Sequence, residues 1–494
     1  MTTGAAVLEH ILPSVSSLLA AVVERAVAPD QQRTLYDLEA LTQAVLPQIG
    51  QVVLQHLTLA QGSGLVGPGR PCGCGAEQTY HDQARRLVVQ TSVGAVSLEQ
   101  RAYYRCAVCH AGSYPLDERL GLGQAGRMSR YLQEQCAWLL ALLPGKVGQQ
   151  TLVRFGWPAV SASEVRAKGE ALGAELDARE QQRVAALQAA AAAPTEQPVP
   201  IRQPAQSSRL YAAPDALKYC TTEREEETGK LVWRELKAAA IYEVVPSPRP
   251  EPVPGQQERP SLRTRLQAYQ ASHAPGWTLA PPDQAVRISY VARTEPYARF
   301  GEFLWAELHE RGLGAPVQDL AVVADGSPHL ETVVEQQLRL PDLRLTHILD
   351  LPHAQGQLWA VSKALFGDGE AGKRWVQAPL LALERGQVDQ VCAAVLAQAE
   401  AQAERAPDAA KTARTAAAYF ADRAAQLDYP AFLAQGYQVG SGLAESACKR
   451  FGTDRMKGAG MRWTISGAQQ VATLRMLLLS DRWQEVADHV RSAA

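Results

Sequence analysis

The segment 208–356 constrains the fold most, because its hydrophobic pattern changes repeatedly between the periods of strand and helix. Strand character is found in three successive stretches, "RLYAAPDA", "LVWRELKAAAIYEVV" and "AVRISYVAR". An amphipathic helix closed by glycine follows, "PYARFGEFLWAELHERGLG", and then the apolar strand "LAVVADG", the helix "LETVVEQQLR" and the strand "LRLTHILDLPHA". The order β-β-β-α-β-α-β predicts an α/β domain with a mixed sheet flanked by helices.

Three carboxylates are placed where such a domain would use them. The sequence predicts that Asp215 and Asp325 each stand where an apolar strand stops, and that Glu445 begins a helix. Neighbouring strands lie about 4.8 Å apart, so carboxylates at their ends repel unless a cation lies between them. A pair of magnesium ions takes oxygen ligands and can drive an in-line phosphoryl displacement. Two ordinary alternatives remain: an Asp-Gly turn at Asp325, and a helix salt bridge from Glu445 to Lys449.

A cluster of bases follows Glu445 in the stretch "CKRFGTDRMKGAGMRW". The net charge of the chain is −2, so a nucleic-acid partner would need a local basic patch of this kind. Trp463 closes the stretch, and it either stacks on an unpaired base or belongs to the core. The residues predicted to contact DNA are Lys449, Arg450, Arg455, Lys457, Arg462 and Trp463.

Four of the eight cysteines fall in two close pairs. Cys72 and Cys74 form the first pair, Cys106 and Cys109 form the second, and a predicted hairpin separates them. Four thiolates on two loops suit one tetrahedral structural zinc ion. The first pair is Cys-x-Cys, which is shorter than the usual spacing, so unliganded buried thiols remain an alternative and His110 is a possible substitute ligand.

The rest of the chain is predicted to be helical or linking. Residues 8–60 are apolar at helical spacing, and a helical stretch with a Gly-Trp-Pro break leads to a capping box at Ser161 and Glu164. This pattern is compatible with a helix-turn-helix, and equally with an ordinary helical hairpin. The predicted segments are 1–65 (helical), 66–118 (zinc-ribbon-like), 119–186 (helix-turn-helix-like), 187–207 (linker), 208–356 with 437–485 (catalytic), and 357–436 (helical insertion).

Several of these stretches resemble bacterial insertion-sequence transposases of the ISKra type, which are relatives of the Mutator-like DDE group. "YYRCAVCHAGSYPLDERLGL" looks like the exit of the family's zinc ribbon. "VADGSPHL", "HILDLPHA" and the long, specific "GSGLAESACKRFGTDRMKGAGMRWTISGAQQVATLRMLLLSDRW" look like its core. The similarity runs from the cysteine region to the C-terminus, with gaps at a Pro-rich stretch (246–261) and at the helical insertion.

The resemblance implies a ribonuclease-H-like DDE fold with Asp215, Asp325 and Glu445 as the catalytic acids. Asp350 and His353 match a family Asp-x-x-His near the site, where they would support the metal ligands, with Asp350 as the rival for a catalytic position. The implied cofactors are two magnesium or manganese ions and one structural zinc. At Asp215 the chain has Asp-Ala where the family usually has Asp-Gly, so a catalytically inactive copy remains an alternative.

The function that follows is a DNA transposase that binds the ends of its insertion sequence, cleaves the strands and transfers them to target DNA. The alternatives are an inactive transposase-derived DNA-binding protein and a ribonuclease-H-like nuclease that recognises DNA structure. The expected partner is double-stranded DNA, bound by a homodimer or higher oligomer. No apolar run approaches the roughly 20 residues that span a bilayer. We therefore expect no membrane partner and a bacterial cytoplasmic, nucleoid-associated protein.

Overall fold

The computed structural model describes residues 4–28, 32–122, 127–192, 202, 204–245, 284–314, 316–440 and 442–492. The chain divides into two compact units, Met1–Ala178 with Thr473–Ala494, and Arg179–Ala472. The finer division into six segments remains a prediction. The Pro-rich stretch 246–261, and residues 193–201 and 203 of the predicted linker 187–207, lie outside the described residues.

The first unit begins with two long helices that pack against each other, α1 (Gly4–Ala26) and α2 (Leu35–Leu59). Helix α2 begins at a capping box in which Thr34 and Asp37 exchange hydrogen bonds. The sequence argument that no apolar run approaches membrane-spanning length is wrong for α1. By length and composition this helix could cross a bilayer, and only 6% of its most apolar window is buried.

Two small antiparallel sheets follow in the first unit. The strands are β1 (Gly69–Pro71), β2 (Glu77–Asp82), β3 (Leu87–Thr91), β4 (Gly94–Leu98), β5 (Tyr103–Cys106) and β6 (Gly112–Ser113). The predicted hairpin is confirmed as β3–β4, and the other four strands pair in the order β1-β2-β5-β6.

Four helices follow among the described residues of the first unit, and the last of them extends beyond Ala178. They are α3 (Pro115–Arg119), α4 (Arg130–Leu142), α5 (Gly145–Arg154) and α6 (Ala162–Ala192). The predicted capping box begins α6: the Glu164 amide donates to the Ser161 hydroxyl at 3.2 Å, and the Ser161 amide donates back to Glu164 at 3.0 Å. Residues 187–192, which the sequence assigns to the linker, are helical, and Leu187 is buried in a hydrophobic cluster of the second unit.

The second unit contains a five-stranded mixed sheet flanked by helices. Its strands are β7 (Arg209–Arg224), β8 (Leu231–Val245), β9 (Gln284–Arg293), β10 (Asp319–Ala324) and β11 (Arg344–Leu349). They are arranged in the order β11-β10-β7-β8-β9, with β7–β8 and β8–β9 antiparallel and β10 parallel to both β7 and β11. The predicted β-β-β-α-β-α-β order is confirmed, with α7 (Tyr297–Glu310) before β10 and α8 (Pro328–Gln337) after it.

The middle parts of the central strands are mainly apolar and are buried on both faces. Residues 236–243 of β8 are all buried, with small alanines where helices approach closely. Phe300 and Leu304 of α7 pack with Val322 of β10 and Ile241 of β8 in one hydrophobic cluster. This packing holds the strands in fixed register and places the residues at their ends.

The predicted helical segment 357–436 is confirmed as helical throughout most of its length. Its helices are α9 (Leu351–Phe366), α10 (Glu370–Trp375), α11 (Gln377–Glu384), α12 (Val388–Ala401), α13 (Pro407–Asp422) and α14 (Tyr429–Ala434). The stretch with Glu445 forms α15 (Gly442–Phe451), followed by a π-helical turn (Gly452–Met456), α16 (Ile465–Leu479) and α17 (Trp483–Ser492).

One strand boundary differs from the prediction. Asp215 does not end a strand but lies within β7, where it pairs with Ala238 of β8. Pro214 carries no amide hydrogen, so the sequence around it is typical of a strand end. The antiparallel pairing with β8 continues through this position, however, while the parallel pairing with β10 extends only to Ala212.

Candidate functional site

The four paired cysteines converge in the first unit. The Sγ atoms of Cys72, Cys74, Cys106 and Cys109 all lie within 4.8 Å of one another. Adjacent sulfurs are 3.5 Å apart for Cys72–Cys109, 3.6 Å for Cys72–Cys74 and 3.7 Å for Cys74–Cys106. Four sulfurs bound at about 2.3 Å to one tetrahedral zinc stand about 3.8 Å from each other. The cluster could therefore hold a zinc ion.

Two tight loops place these sulfurs. In the first, the Cys72 amide donates to Ala76 at 2.8 Å, and Gly75 has a φ of +87°, which glycine adopts without strain. In the second, the Cys106 amide donates to Ala111 at 2.9 Å. The backbone amide of Cys109, followed by that of Val108, lowers the pKa of Cys106 to about 6.

A neighbour of the cysteine cluster was not predicted from the sequence. The buried Gln78 directs its side-chain nitrogen to the Cys72 sulfur at 3.8 Å, and such outer contacts orient metal ligands. Gln78 lies on β2 opposite Cys106, a position that only strand register reveals. His110 is exposed and does not belong to the cluster, so the four cysteines form it without the substitute ligand considered above.

In the second unit, register brings three aspartates to one level of the sheet. Asp215 and Asp325 each lie three residues beyond the last pair that joins their strands, Ala212 and Val322. Asp325 and Asp350 each lie one residue beyond the last pair of β10 and β11, and the Asp350 amide donates to Ala324 at 2.8 Å. The prediction that Asp325 directly follows a strand is confirmed, since β10 ends at Ala324.

Asp215 is half-buried and contacts a helix that the sequence places over 220 residues away. Its Oδ1 accepts a hydrogen bond of 2.6 Å from the Ala216 amide, and the Cys448 thiol of α15 also donates to this carboxylate. Burial raises the pKa of Asp215 and the charge of Asp325 raises it further, while the Cys448 and Ala216 hydrogen bonds oppose the shift. The charge of Asp325, next to β10, therefore acts on Asp215 in the neighbouring strand β7.

Cys448 links this edge to one of the predicted bases. Burial is the largest cause of the raised pKa of its thiol, followed by the charge of Asp215, and the charge of Lys457 opposes both. The Lys457 side chain passes over Gly452, just after α15, and its head is exposed. Cys448 is thus close to both the Asp215 carboxylate and the charge of Lys457, a relation that sequence spacing alone does not predict.

Glu445 is exposed in the first turn of α15. It precedes Cys448 by three residues, and residues three apart are neighbours on a helix surface. Helix α15 packs against β7 and β8, so Glu445 lies on the helix that covers Asp215. In the described part of the chain it forms no ion pair with Lys449, which leaves the salt-bridge alternative without support.

Asp350 and His353 form a helix cap. The Asp350 carboxylate accepts a hydrogen bond of 3.0 Å from the His353 amide at the start of α9, and Asp350 is only 8% exposed. The His353 ring lies 3.2 Å from the Gln357 amide nitrogen, and a positive charge on this ring would lower the pKa of Asp215. Asp350 and His353 thus lie near Asp215 and Asp325, and Asp350 caps the start of α9.

Four of the six predicted DNA-binding residues are exposed: Lys449, Arg450, Lys457 and Arg462. The other two differ from the expectation of a solvent-facing surface. Arg455 is only 2% exposed, and Trp463 is 8% exposed and donates its ring N–H to the Met456 carbonyl at 3.0 Å. Trp463 therefore belongs to the core, which is the second of the two roles that the sequence left open, and Arg455 is packed with it.

Two residues at the candidate site were not predicted from the sequence. Tyr419 and Arg423, at the end of α13, donate hydrogen bonds to the main-chain carbonyls of Asp325 and Gly326. They lie more than 90 residues from that turn, in an Ala-rich helix without a motif, so no local signal marks them.

Comparison with models of known protein families and with curated proteins finds no match. Within the described residues, the cysteine cluster is the one group of three or more possible metal-binding side chains whose ligand atoms all lie within 4.8 Å of one another. Asp215, Asp325 and Glu445, which are all described, do not form such a group.

Proposed function

We propose that this protein is a DDE-type DNA transposase that binds the ends of its insertion sequence and catalyses metal-dependent strand cleavage and strand transfer. The observation that carries the proposal is the common level of Asp215 and Asp325 on adjacent strands, covered by the helix that contains Glu445. Acids on rigid strands next to a helix with exposed bases suit a reaction on a phosphate backbone.

The sheet supports a ribonuclease-H-like fold. Strands β7, β8 and β9 are antiparallel neighbours. The next two strands in the sequence, β10 and β11, are parallel to β7 and lie on its side of the sheet, not beside β9. This arrangement places β7 at the centre of the sheet, with Asp215 level with the ends of β10 and β11. Ligands of open α/β sheets bind outside such strand ends, where the order of strands changes direction.

The donor set supports magnesium or manganese. Asp215 and Asp325 offer hard oxygen ligands on neighbouring strands, and the raised pKa of Asp215 marks the cost of leaving this carboxylate charged without a cation. Glu445 would be the third ligand, with Asp350 and His353 beside it. Two bound ions would supply charge to activate a water or 3′-hydroxyl and to stabilise the leaving oxygen. The protein's own part is to hold the scissile phosphate in line.

The remaining features support a DNA partner. The exposed Lys449, Arg450, Lys457 and Arg462 would hold phosphates, which positions DNA without reading its sequence. The cysteine cluster, with one structural zinc, and the helices α4–α6 would bind the transposon end. We expect a homodimer or higher oligomer on DNA, because a transposon has two ends, and a location on the bacterial nucleoid.

A cleavage assay tests the proposal. The DNA that flanks the gene supplies the terminal repeats, and a labelled duplex with one such end is incubated with the protein and magnesium. Asp325→Asn and Glu445→Gln should lower cleavage by more than about 100-fold, since changing even the partners of metal ligands costs about 10–100-fold. End binding should persist. Asp454→Asn is the matched control, because Asp454 is an exposed acid just after the same helix.

The results separate the competing functions. End binding without cleavage by the wild-type protein would indicate an inactive transposase-derived DNA-binding protein. Cleavage of branched DNA regardless of terminal sequence would indicate a structure-specific nuclease. Loss of cleavage in Asp350→Asn with full activity in Glu445→Gln would transfer the third catalytic position to Asp350.

A further inference from the structure

We propose that the end of the helical segment is a positioning device for the acidic edge of the sheet. Three of its side chains, Tyr419, Arg423 and Tyr429, hold the main chain at the points where Asp325 and Asp350 leave their strands. We call these three residues the carbonyl clamp. The inference rests on the proposed function, because it gives the clamp the task of fixing the catalytic carboxylates.

The first two members of the clamp hold the Asp325–Gly326 turn. The Tyr419 hydroxyl donates a hydrogen bond of 2.8 Å to the Asp325 carbonyl. The Arg423 guanidinium donates to the Gly326 carbonyl from Nη2 at 2.8 Å and from Nε at 3.1 Å. It also lies 4.5 Å from the centre of the Tyr419 ring, so the two side chains support each other.

The third member of the clamp holds the neighbouring strand. The buried Tyr429 hydroxyl donates a hydrogen bond of 3.0 Å to the Leu349 carbonyl, one residue before Asp350. The Asp350 amide in turn donates to Ala324, one residue before Asp325. The two acidic strand ends are therefore tied to each other and to the same part of the helical segment, between Tyr419 and Tyr429.

The glycine at position 326 makes room for the Arg423 side chain. Gly326 has a φ of +76°, and a Cβ at this position would stand 2.6 Å from Arg423 Nε and 2.8 Å from a Leu349 methyl group. Glycine thus lets the guanidinium lie directly on the main chain. Carbonyls beyond the end of a strand have lost their sheet partners, and a buried one needs another donor.

The clamp binds carbonyls and not carboxylates. The one hydrogen bond described for the Asp325 carboxylate comes from the Ser327 amide, at 2.9 Å. Its remaining acceptor sites stay available to a ligand, while the backbone that carries them is held from behind. Arg423 is 11% exposed and also pairs with Glu331 at 3.3 Å, so its own position is well determined. This arrangement orients an acid without competing for it.

The test compares Tyr419→Phe, Arg423→Gln and the conservative Arg423→Lys with Tyr437→Phe. Tyr437 is a matched control, because its hydroxyl bonds to Asp319, at the opposite end of β10, at 3.0 Å. Hydrogen–deuterium exchange of peptides covering 323–330 reports the order of the turn without any DNA. A lost hydrogen bond should speed exchange there roughly three- to tenfold. Tyr437→Phe should leave it unchanged, and Arg423→Lys should fall between wild type and Arg423→Gln.

On end-containing DNA with magnesium, the clamp variants should lower the cleavage rate of bound DNA roughly tenfold and leave the Kd for DNA unchanged. Unchanged exchange at 323–330, or faster exchange spread equally over β7 and β8, would overturn the positioning role. A weaker Kd with an unchanged rate would overturn it too. If the wild-type protein cleaves no DNA, the proposed function fails, but the exchange data still decide whether the clamp orders the turn.

Discussion

The guanidinium carbon of Arg455 lies 4.9 Å from the centre of the Trp463 ring, and both side chains are buried. The Trp463 carbonyl accepts a hydrogen bond of 2.9 Å from the Thr222 amide at the far end of β7. Arg455 and Trp463 therefore pack the segment that follows α15 against the sheet. A residue that the sequence groups with the DNA-binding bases is part of the core here.

We expect Arg455→Ala to act on stability and not directly on DNA. Removing a buried side chain with a cation–π partner should lower the free energy of unfolding by about 1–3 kcal/mol. Lys449→Ala, at an exposed base, should leave stability unchanged, weaken binding to all DNA sequences alike, and reduce the salt slope by about one. The measurements are urea unfolding, and salt titration of affinity for end and random DNA.

An Arg455→Ala protein of normal stability with a reduced salt slope would contradict the packed role of Arg455. Arg462→Ala provides a second exposed comparison, since Arg462 adjoins Trp463 in sequence but faces solvent. Unchanged affinity and slope in both exposed variants would mean that the basic stretch takes no part in DNA binding.

We expect the purified protein to contain one zinc per chain, held by the cysteine cluster. Structural zinc contributes folding free energy of the order of 10 kcal/mol in small modules. A strong chelator, or Cys106→Ser, should therefore remove the metal and unfold the surrounding strands first. Metal analysis and the thermal unfolding profile measure the two effects.

Cys392→Ala is the control for that experiment, because Cys392 lies on α12, outside the cluster. It should retain a full equivalent of zinc. Less than half an equivalent in freshly prepared wild-type protein would count against the zinc assignment and favour unliganded thiols.

The capping box at the start of α6 should contribute to stability in a pH-dependent way. Ser161→Ala should cost about 1 kcal/mol. Hydrogen bonds from the Ser161 side chain and then its amide lower the pKa of Glu164 below its usual 4.5. A lowered pKa in the folded state means that this contribution is present above pH 4.5 and is lost as the pH falls through the folded pKa.

The check is urea unfolding of wild type and Glu164→Gln at neutral pH and at about pH 3. The difference between the two proteins should be largest at neutral pH and should shrink towards zero in acid. A difference that is equal at both pH values would show that the Glu164 charge does not stabilise the helix start.

Much of the architecture could be predicted because it depends on local patterns. The change of period between strand and helix marked the order from β7 to β11, and the Ser-x-x-Glu box marked the start of α6. The spacing of Cys72, Cys74, Cys106 and Cys109 was enough to predict that their sulfurs meet, since few other arrangements satisfy four thiols on two short loops.

Other predictions failed where two elements distant in sequence meet. Asp215 is predicted at the end of a strand because the apolar run stops there, but β8 supplies pairing far beyond that point. Arg455 was expected in solvent because bases surround it, but the Trp463 ring is folded against it. Both errors have one origin, since local sequence does not show which neighbour will cover a residue.

The sequence by itself determined which residues can form strands, helices and thiol loops, because hydrophobic period, capping and spacing act over a few residues. Only the tertiary structure decided that Asp215, Asp325 and Asp350 share one level of the sheet, and that Tyr419 and Arg423 hold the turn beside them. Strand register and the packing of a distant helix determine both of these arrangements. Register and packing depend on many side chains of the core together and not on any one segment.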